Sequence, residues 1–101
     1  MYARPQVVVV VFTMKGCPAC QEYLPRFRRI AQRWASCIPV VYLDAAKDAQ
    51  QDRADKFTIK YTPTTLILKR PNGFLKWESS LSDEEIEAIF QRAAYHARCE
   101  V

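Results

Sequence analysis

At 101 residues the chain has room for one compact domain with a modest core and none for a second. Half of its residues are hydrophobic, yet the longest apolar run ends after six positions, far short of the roughly 20 residues of a membrane-spanning helix. The formal net charge of +4 sets 15 basic residues against 11 acidic ones, the balance of a solvated basic face and not of a nucleic-acid footprint.

The opening Met1-Tyr2-Ala3-Arg4-Pro5-Gln6 leads straight into the apolar run and leaves no place for an export signal, so a cytoplasmic location is expected. The run itself, Val7-Val8-Val9-Val10-Val11-Phe12, is β-branched and unbroken by polar residues. Such a strand has two apolar faces and belongs in the middle of a sheet. Cys17-Pro18-Ala19-Cys20 follows at once and opens a segment of helical periodicity. From Pro18 to about Ser36, Leu24, Phe27, Ile30, Ala31 and Trp34 recur at three- and four-residue spacing, which predicts an amphipathic helix. Pro25 removes one backbone hydrogen bond inside it and predicts a kink. Arg26, Arg28, Arg29 and Arg33 fall on its outward part, either solvated or steering acidic protein partners.

That placement gives the two cysteines a chemistry. A helix start offers unpaired N–H groups and the positive end of the macrodipole, which stabilise a thiolate at Cys17 and make it the candidate nucleophile. The spacing lets Cys20 attack a mixed disulfide on Cys17, so Cys20 is the candidate resolving thiol.

Further on, Ile38-Pro39-Val40-Val41-Tyr42-Leu43 predicts a second strand, parallel to the first through the intervening helix. A short helix is expected between Asp44 and Lys56, with Ala49, Arg53 and Phe57 as a weak stripe. Thr64-Thr65-Leu66-Ile67-Leu68-Lys69 and Phe74-Leu75-Lys76-Trp77-Glu78 flank an Asn72-Gly73 turn and predict an antiparallel hairpin. Ser82 and Glu85 stand at capping-box spacing before Ile86, Ile89, Phe90 and Ala93, the start of a last amphipathic helix. The expected fold is α/β in the order βαβαββα, a four-stranded mixed sheet flanked by helices.

Together these features resemble the thioredoxin family, in a short form lacking an extra N-terminal strand and helix. The dithiol follows the first strand, Pro25 lies five residues beyond Cys20, and Thr62-Pro63 precedes the third strand. The resemblance covers about residues 6–95, and the tail through Asn72-Gly73 and Leu81-Ser82 looks more like thioredoxin than glutaredoxin. It implies a thioredoxin fold with a cis bond before Pro63. Beside the dithiol, that turn would expose the Thr62 backbone to an extended substrate, so Pro18, Ala19, Thr62 and Pro63 are the expected substrate-binding residues.

The resemblance also implies a thiol–disulfide oxidoreductase: a protein-disulfide reductase and electron carrier that needs no metal or organic cofactor. A thioredoxin reductase, or glutathione, would re-reduce it, and targets such as ribonucleotide reductase would be its partners. Neither nucleic acid nor membrane is expected as a partner, and a monomer is. Three departures from the family pattern stand out. Gly16 replaces the tryptophan before the first cysteine, Val11 takes the place of a buried acid, and Pro18-Ala19 replaces Gly-Pro. Lys15 is a candidate for lowering the Cys17 pKa by its charge. The alternatives are a glutathione-dependent glutaredoxin-like enzyme, a zinc or iron–sulfur half-site shared by a dimer, and a non-catalytic thioredoxin-fold binding module.

Cys37 and Cys99 have no nearby partner at a redox or zinc spacing and are expected as buried or frayed bystanders, a Cys37–Cys99 bridge or an intermolecular disulfide being the alternatives. His96, near the end of the last helix, is given no role. Trp34 and Trp77 are expected in the core or at its rim, whereas Tyr61, immediately before Thr62-Pro63, either sits near the groove or packs at the strand entrance, and it is left outside the site residues.

Overall fold

Val7–Thr13 forms β1, and because neither of its faces is polar it takes an inner place in the sheet. In the computed structural model, which describes residues 6–71 and 73–99, β2 (Val40–Asp44) runs parallel to β1 on one side and β3 (Thr64–Lys69) antiparallel on the other. β4 (Phe74–Glu78) pairs with β3 and completes the order β2-β1-β3-β4. Helix α1 (Pro18–Gln32) links β1 to β2, α2 (Asp48–Lys56) links β2 to β3, and α3 (Asp83–Ala97) follows β4. The element order is the βαβαββα expected.

Side chains alternate along a strand, so the valines of β1 serve two different cores. Val7, Val9 and Val11 pack with Tyr23, Phe27 and Ile30 of α1 and with Ile86, Ile89 and Phe90 of α3. On the opposite face, Val10 and Phe12 pack with Leu43, Leu66 and Ala54 of α2. Trp34 and Trp77 sit at the edge of the first core, half-buried against it.

Several boundaries move for local reasons. α1 ends at Gln32 and not near Ser36, because Arg33, Trp34 and Ala35 donate to carbonyls three residues back, at Ile30, Ala31 and Gln32, in a tightened final turn. It runs through Pro25 as one continuous helix. β2 begins at Val40 because Pro39 has no N–H to give a ladder, although its carbonyl accepts from Val9 N–H at 3.0 Å. Ile38 is buried but completes the turn after α1, donating to Trp34. Asp44 ends β2, and its carboxylate accepts from Ala46 N–H at 2.9 Å, which turns the chain before α2 starts. Ala54 of α2 and half-buried Phe57 just after it meet the sheet while Arg53 is exposed, so Ala54 takes the place expected for Arg53 in the stripe. The Ala49 side chain and Asn72 lie outside the described residues. Gly73 takes a φ of +110°, and its carbonyl accepts from Lys69 N–H to close the β3–β4 hairpin.

The α1 arginines stay at the surface, Arg28, Arg29 and Arg33 being exposed as expected, but they are not free. Arg26 donates to Glu22, to Asp83 and to the Leu81 carbonyl, Arg29 pairs with Asp83, and Arg33 pairs with Glu87. Three of the four thereby tie α1 to the first turns of α3, and Arg28 lies over the Tyr42 ring at 5.0 Å. The α3 end of this junction is held by a capping box, with the Ser82 hydroxyl accepting from Glu85 N–H at 3.1 Å and Ser82 N–H donating to the Glu85 carboxylate at 3.0 Å.

Candidate active site

Four residues, Met14 to Cys17, carry the chain from β1 into α1, and they decide where the Cys17 sulfur points. The Met14 carbonyl accepts from Cys17 N–H at 3.2 Å across a turn in which Gly16 takes a φ of +83°. Nothing lies within 4 Å of a Cβ built on Gly16, so glycine is needed there for backbone freedom and not for space. Cys17 is the N-cap of α1 in an extended conformation, Pro18 occupies the first helical position, and the first turn carries no acidic residue. The Cys17 sulfur accepts from Cys20 N–H at 3.1 Å, as an N-cap oxygen would. An anion at Cys17 thus meets a donated hydrogen bond and an unopposed helix N-terminus, both of which favour thiolate over thiol.

Cys17 and Cys20 are joined as a disulfide with their Cα atoms 5.2 Å apart. Cys17 is half-buried and open to an approaching group, whereas Cys20 is 3 % exposed, on the buried face of α1. Opposite them the chain enters β3. The Thr62 hydroxyl is 3.4 Å from the Cys17 sulfur and its carbonyl oxygen 3.5 Å away. The Thr62–Pro63 peptide is cis. Pro18 and Ala19 are exposed and Thr62 half-buried, so these three border the open side of the sulfur. Pro63 is buried, and its ring shapes the turn from beneath. Lys15 is exposed beside this turn.

Three features of the site stand outside the expected site residues. The Thr64 hydroxyl bonds the Tyr61 carbonyl and pins the turn that carries Thr62. Tyr61 takes the groove-side alternative: it is 61 % exposed next to Thr62, and Met14 is 43 % exposed on the loop before Cys17, so each offers apolar surface on its own loop. The third feature lies beneath the dithiol. Val11 is fully buried and its cross-strand partner in β3 is Thr65. The Thr65 hydroxyl is hydrogen-bonded at 2.9 Å to the hydroxyl of Tyr23, which sits one helical turn after Cys20. Burial pushes the Tyr23 hydroxyl up to about 12, against a smaller opposing effect of the Thr65 bond, so it stays neutral at ordinary pH. A neutral hydroxyl pair, not a carboxylate, is the polar group set next to Val11. Thr-Thr at the head of an otherwise apolar strand was the available signal.

Cys37 and Cys99 overturn the expectation of bystanders. Cys37 follows α1 and Cys99 follows α3, and the structure joins them as a second disulfide with Cα atoms 6.1 Å apart, within the ordinary range for such a bridge. Two parallel-running helices that end at the same side of the sheet bring the two residues together, which neither spacing nor composition displays.

A half-open cysteine at a helix N-cap, disulfide-bonded to a buried one a turn later and faced by a Thr-Pro loop, is the arrangement of proteins that exchange thiols and disulfides. The Thioredoxin family model matches residues 2–92, and the chain belongs to that family. Thioredoxin H5 of Arabidopsis thaliana is 26% identical over 86 residues, spanning 85% of this chain and 70% of its own length. Among solved structures, thioredoxin-2 of a malaria parasite superposes with a TM-score of 0.78 at 23% identity over 90% of this chain and 86% of its own. Fasciola hepatica thioredoxin gives a TM-score of 0.77 at 16% identity, covering 89% and 83% of the two chains. At such identities the structural matches speak for the fold, and the family model and the cysteine pair speak for thiol–disulfide oxidoreductase chemistry in general.

Proposed function

We propose that this protein is a protein-disulfide reductase that carries two electrons on the Cys17/Cys20 pair. The supporting observation is the asymmetry of the pair: Cys17 is reachable and stabilised as an anion by the helix start, and Cys20 is buried within bonding reach of it. The Cys17 thiolate attacks one sulfur of a target disulfide, and the other target sulfur departs as a thiolate and takes up a proton. Cys20 then gives up its proton and attacks the Cys17 sulfur. The mixed disulfide breaks, the second target sulfur is released, and the dithiol's two electrons have passed to the target. Thr62 offers its backbone to an extended target segment beside Cys17, with Tyr61 and Met14 as apolar flanks.

In this reading the chain needs no metal or organic cofactor and works in the cytoplasm as a monomer. A thioredoxin reductase, or glutathione, restores the dithiol, and protein disulfides such as that of ribonucleotide reductase are its targets. Neither nucleic acid nor membrane takes part.

Titration in glutathione buffers with mass mapping of the oxidised cysteines tests the reading. A Cys17–Cys20 couple near ~−270 mV fits a reductant, and one between ~−120 and −180 mV would replace it with disulfide formation or isomerisation. Cys20→Ser is expected to accumulate a covalent complex with a protein disulfide substrate; if none forms under turnover, the division of roles is wrong.

A further inference from the structure

The second disulfide differs from a buried structural bridge in where it lies. Cys37 is exposed and Cys99 only half-buried, in a turn whose Cys99 N–H bonds the Ala94 carbonyl at 2.9 Å. Exposed disulfides are the ones that outside thiols reach and open. The bridge is also remote from the first pair. Cys17 caps the N-terminus of α1, and Cys37 follows its C-terminus, so the 15 residues of the helix, about 22 Å of rise, separate the two. No rearrangement short of unfolding α1 would let the Cys17 sulfur reach Cys37 of its own molecule.

The fold around the bridge does not depend on it alone. Ala93 and Ala94 of α3 are buried, and Ala97 and Cys99 pack at the edge of the first core. Arg98, the C-cap, takes a left-handed φ of 58°, and its N–H bonds Tyr95, so the tail is turned toward Cys37 by the helix end itself. Opening the bridge would therefore leave two thiols close together, ready to close again, on a protein that is still folded.

From this geometry we infer that Cys37–Cys99 is a second thiol–disulfide exchange site, opened by dithiols outside the molecule and in particular by the Cys17/Cys20 dithiol of another copy of this chain. The inference rests on the reductase reading of the first pair. Cys37, the more exposed of the two residues, is the point of attack. The incoming Cys17 thiolate bonds to the Cys37 sulfur, the Cys37–Cys99 bond breaks, and Cys99 departs as a thiolate and takes a proton from solvent. Cys20 of the donor copy loses its proton and attacks its own Cys17. The intermolecular bond breaks, and Cys37 leaves as a thiolate that is protonated in turn. The donor is oxidised by two electrons and the acceptor reduced by two, so one disulfide has moved from the far pole of one copy to the active pole of another.

Two double variants separate the sites. C37S/C99S, fully reduced, is the donor, and oxidised C17S/C20S is the acceptor; after mixing at equal concentration, free thiols are blocked by alkylation and both chains mapped by mass. The expected result is loss of the Cys37–Cys99 disulfide from the acceptor, with both cysteines alkylated, and gain of the Cys17–Cys20 disulfide in the donor. If the acceptor keeps its bridge while the same donor reduces a small aromatic disulfide, the inference fails and the reductase reading stands. A donor that reduces neither disulfide overturns both. Wild-type protein gives a check that needs no substitution. In graded glutathione buffers the Cys37–Cys99 pair is expected to open and close reversibly with the circular dichroism of the fold retained. A bridge that stays closed at every ratio, or opens only with loss of that signal, overturns the inference.

Discussion

The two cysteine pairs of this chain sit at opposite ends of α1 and are built on opposite principles. Cys17 and Cys20 lie within one helical turn, and the same backbone that brings them together also supplies the N–H that stabilises one of them. Cys37 and Cys99 are 62 residues apart and meet only because two helices finish side by side. The first pair costs the chain almost no loop to close. The second closes most of the chain into one ring, and loop-closure entropy grows with ring size. Chemistry at the first pair thus follows from local structure, whereas at the second it is linked to the stability of the whole fold.

The sharpest way to break the comparison is at the nucleophile. Cys17→Ser is expected to abolish reduction of a protein disulfide such as insulin, followed by the turbidity of the reduced chains, with little change in thermal stability. Removing the other pair should do the reverse. A Cys37→Ala, Cys99→Ala double variant should lose about 4 kcal/mol of unfolding free energy by the chain-entropy model, measured by urea denaturation under oxidising conditions. That loss should disappear when wild type and variant are compared with excess reductant.

Smaller effects locate what supports each pole. Tyr23→Phe leaves the buried Thr65 hydroxyl without its partner beneath the first pair and should cost about 1–3 kcal/mol in the same denaturation experiment. Ser82→Ala removes the capping box from α3 and should cost about 1 kcal/mol. The smallest effect is a pH dependence. Asp83 is held below its ordinary carboxylate range, chiefly by the hydrogen bond from Arg26, and Glu85 is held below it by Ser82. Folding therefore binds these two groups in their ionised forms. Their contribution is present above the unfolded carboxylate pKa of about 4 and is lost as pH falls through the lower folded values. The urea midpoint should fall on acidification below about pH 4, and Asp83→Asn should flatten part of that slope.

What was legible beforehand follows the same division. β1, the placement of Cys17 and Cys20 at a helix start, the hairpin and the Ser82–Glu85 cap are set by residues within a few positions of one another, and local pattern sufficed for each. The Cys37–Cys99 bridge, the Tyr23–Thr65 pair and the contacts of Arg26, Arg29 and Arg33 with α3 span 42 to 62 residues. Nothing in the neighbourhood of Thr65 names Tyr23 as its partner. The arginines do form a solvated face, but their counter-charges, Asp83 and Glu87, were not legible because they belong to a helix more than fifty residues away.

Five consecutive valines also leave β1 with little to distinguish one alignment from the next. Sliding the strand by one position would exchange valine for valine across most of its length, and both chambers would accept the substitution in volume and polarity. The residue that breaks this degeneracy is Phe12, whose ring is fully buried on the α2 side near the Phe57 ring, with centroids 6.4 Å apart. A shifted strand would drive that ring into the chamber already filled by Phe27 and Phe90. One aromatic side chain at the end of the run therefore keys the strand, and the dithiol loop that begins two residues later inherits its height above the sheet from that key.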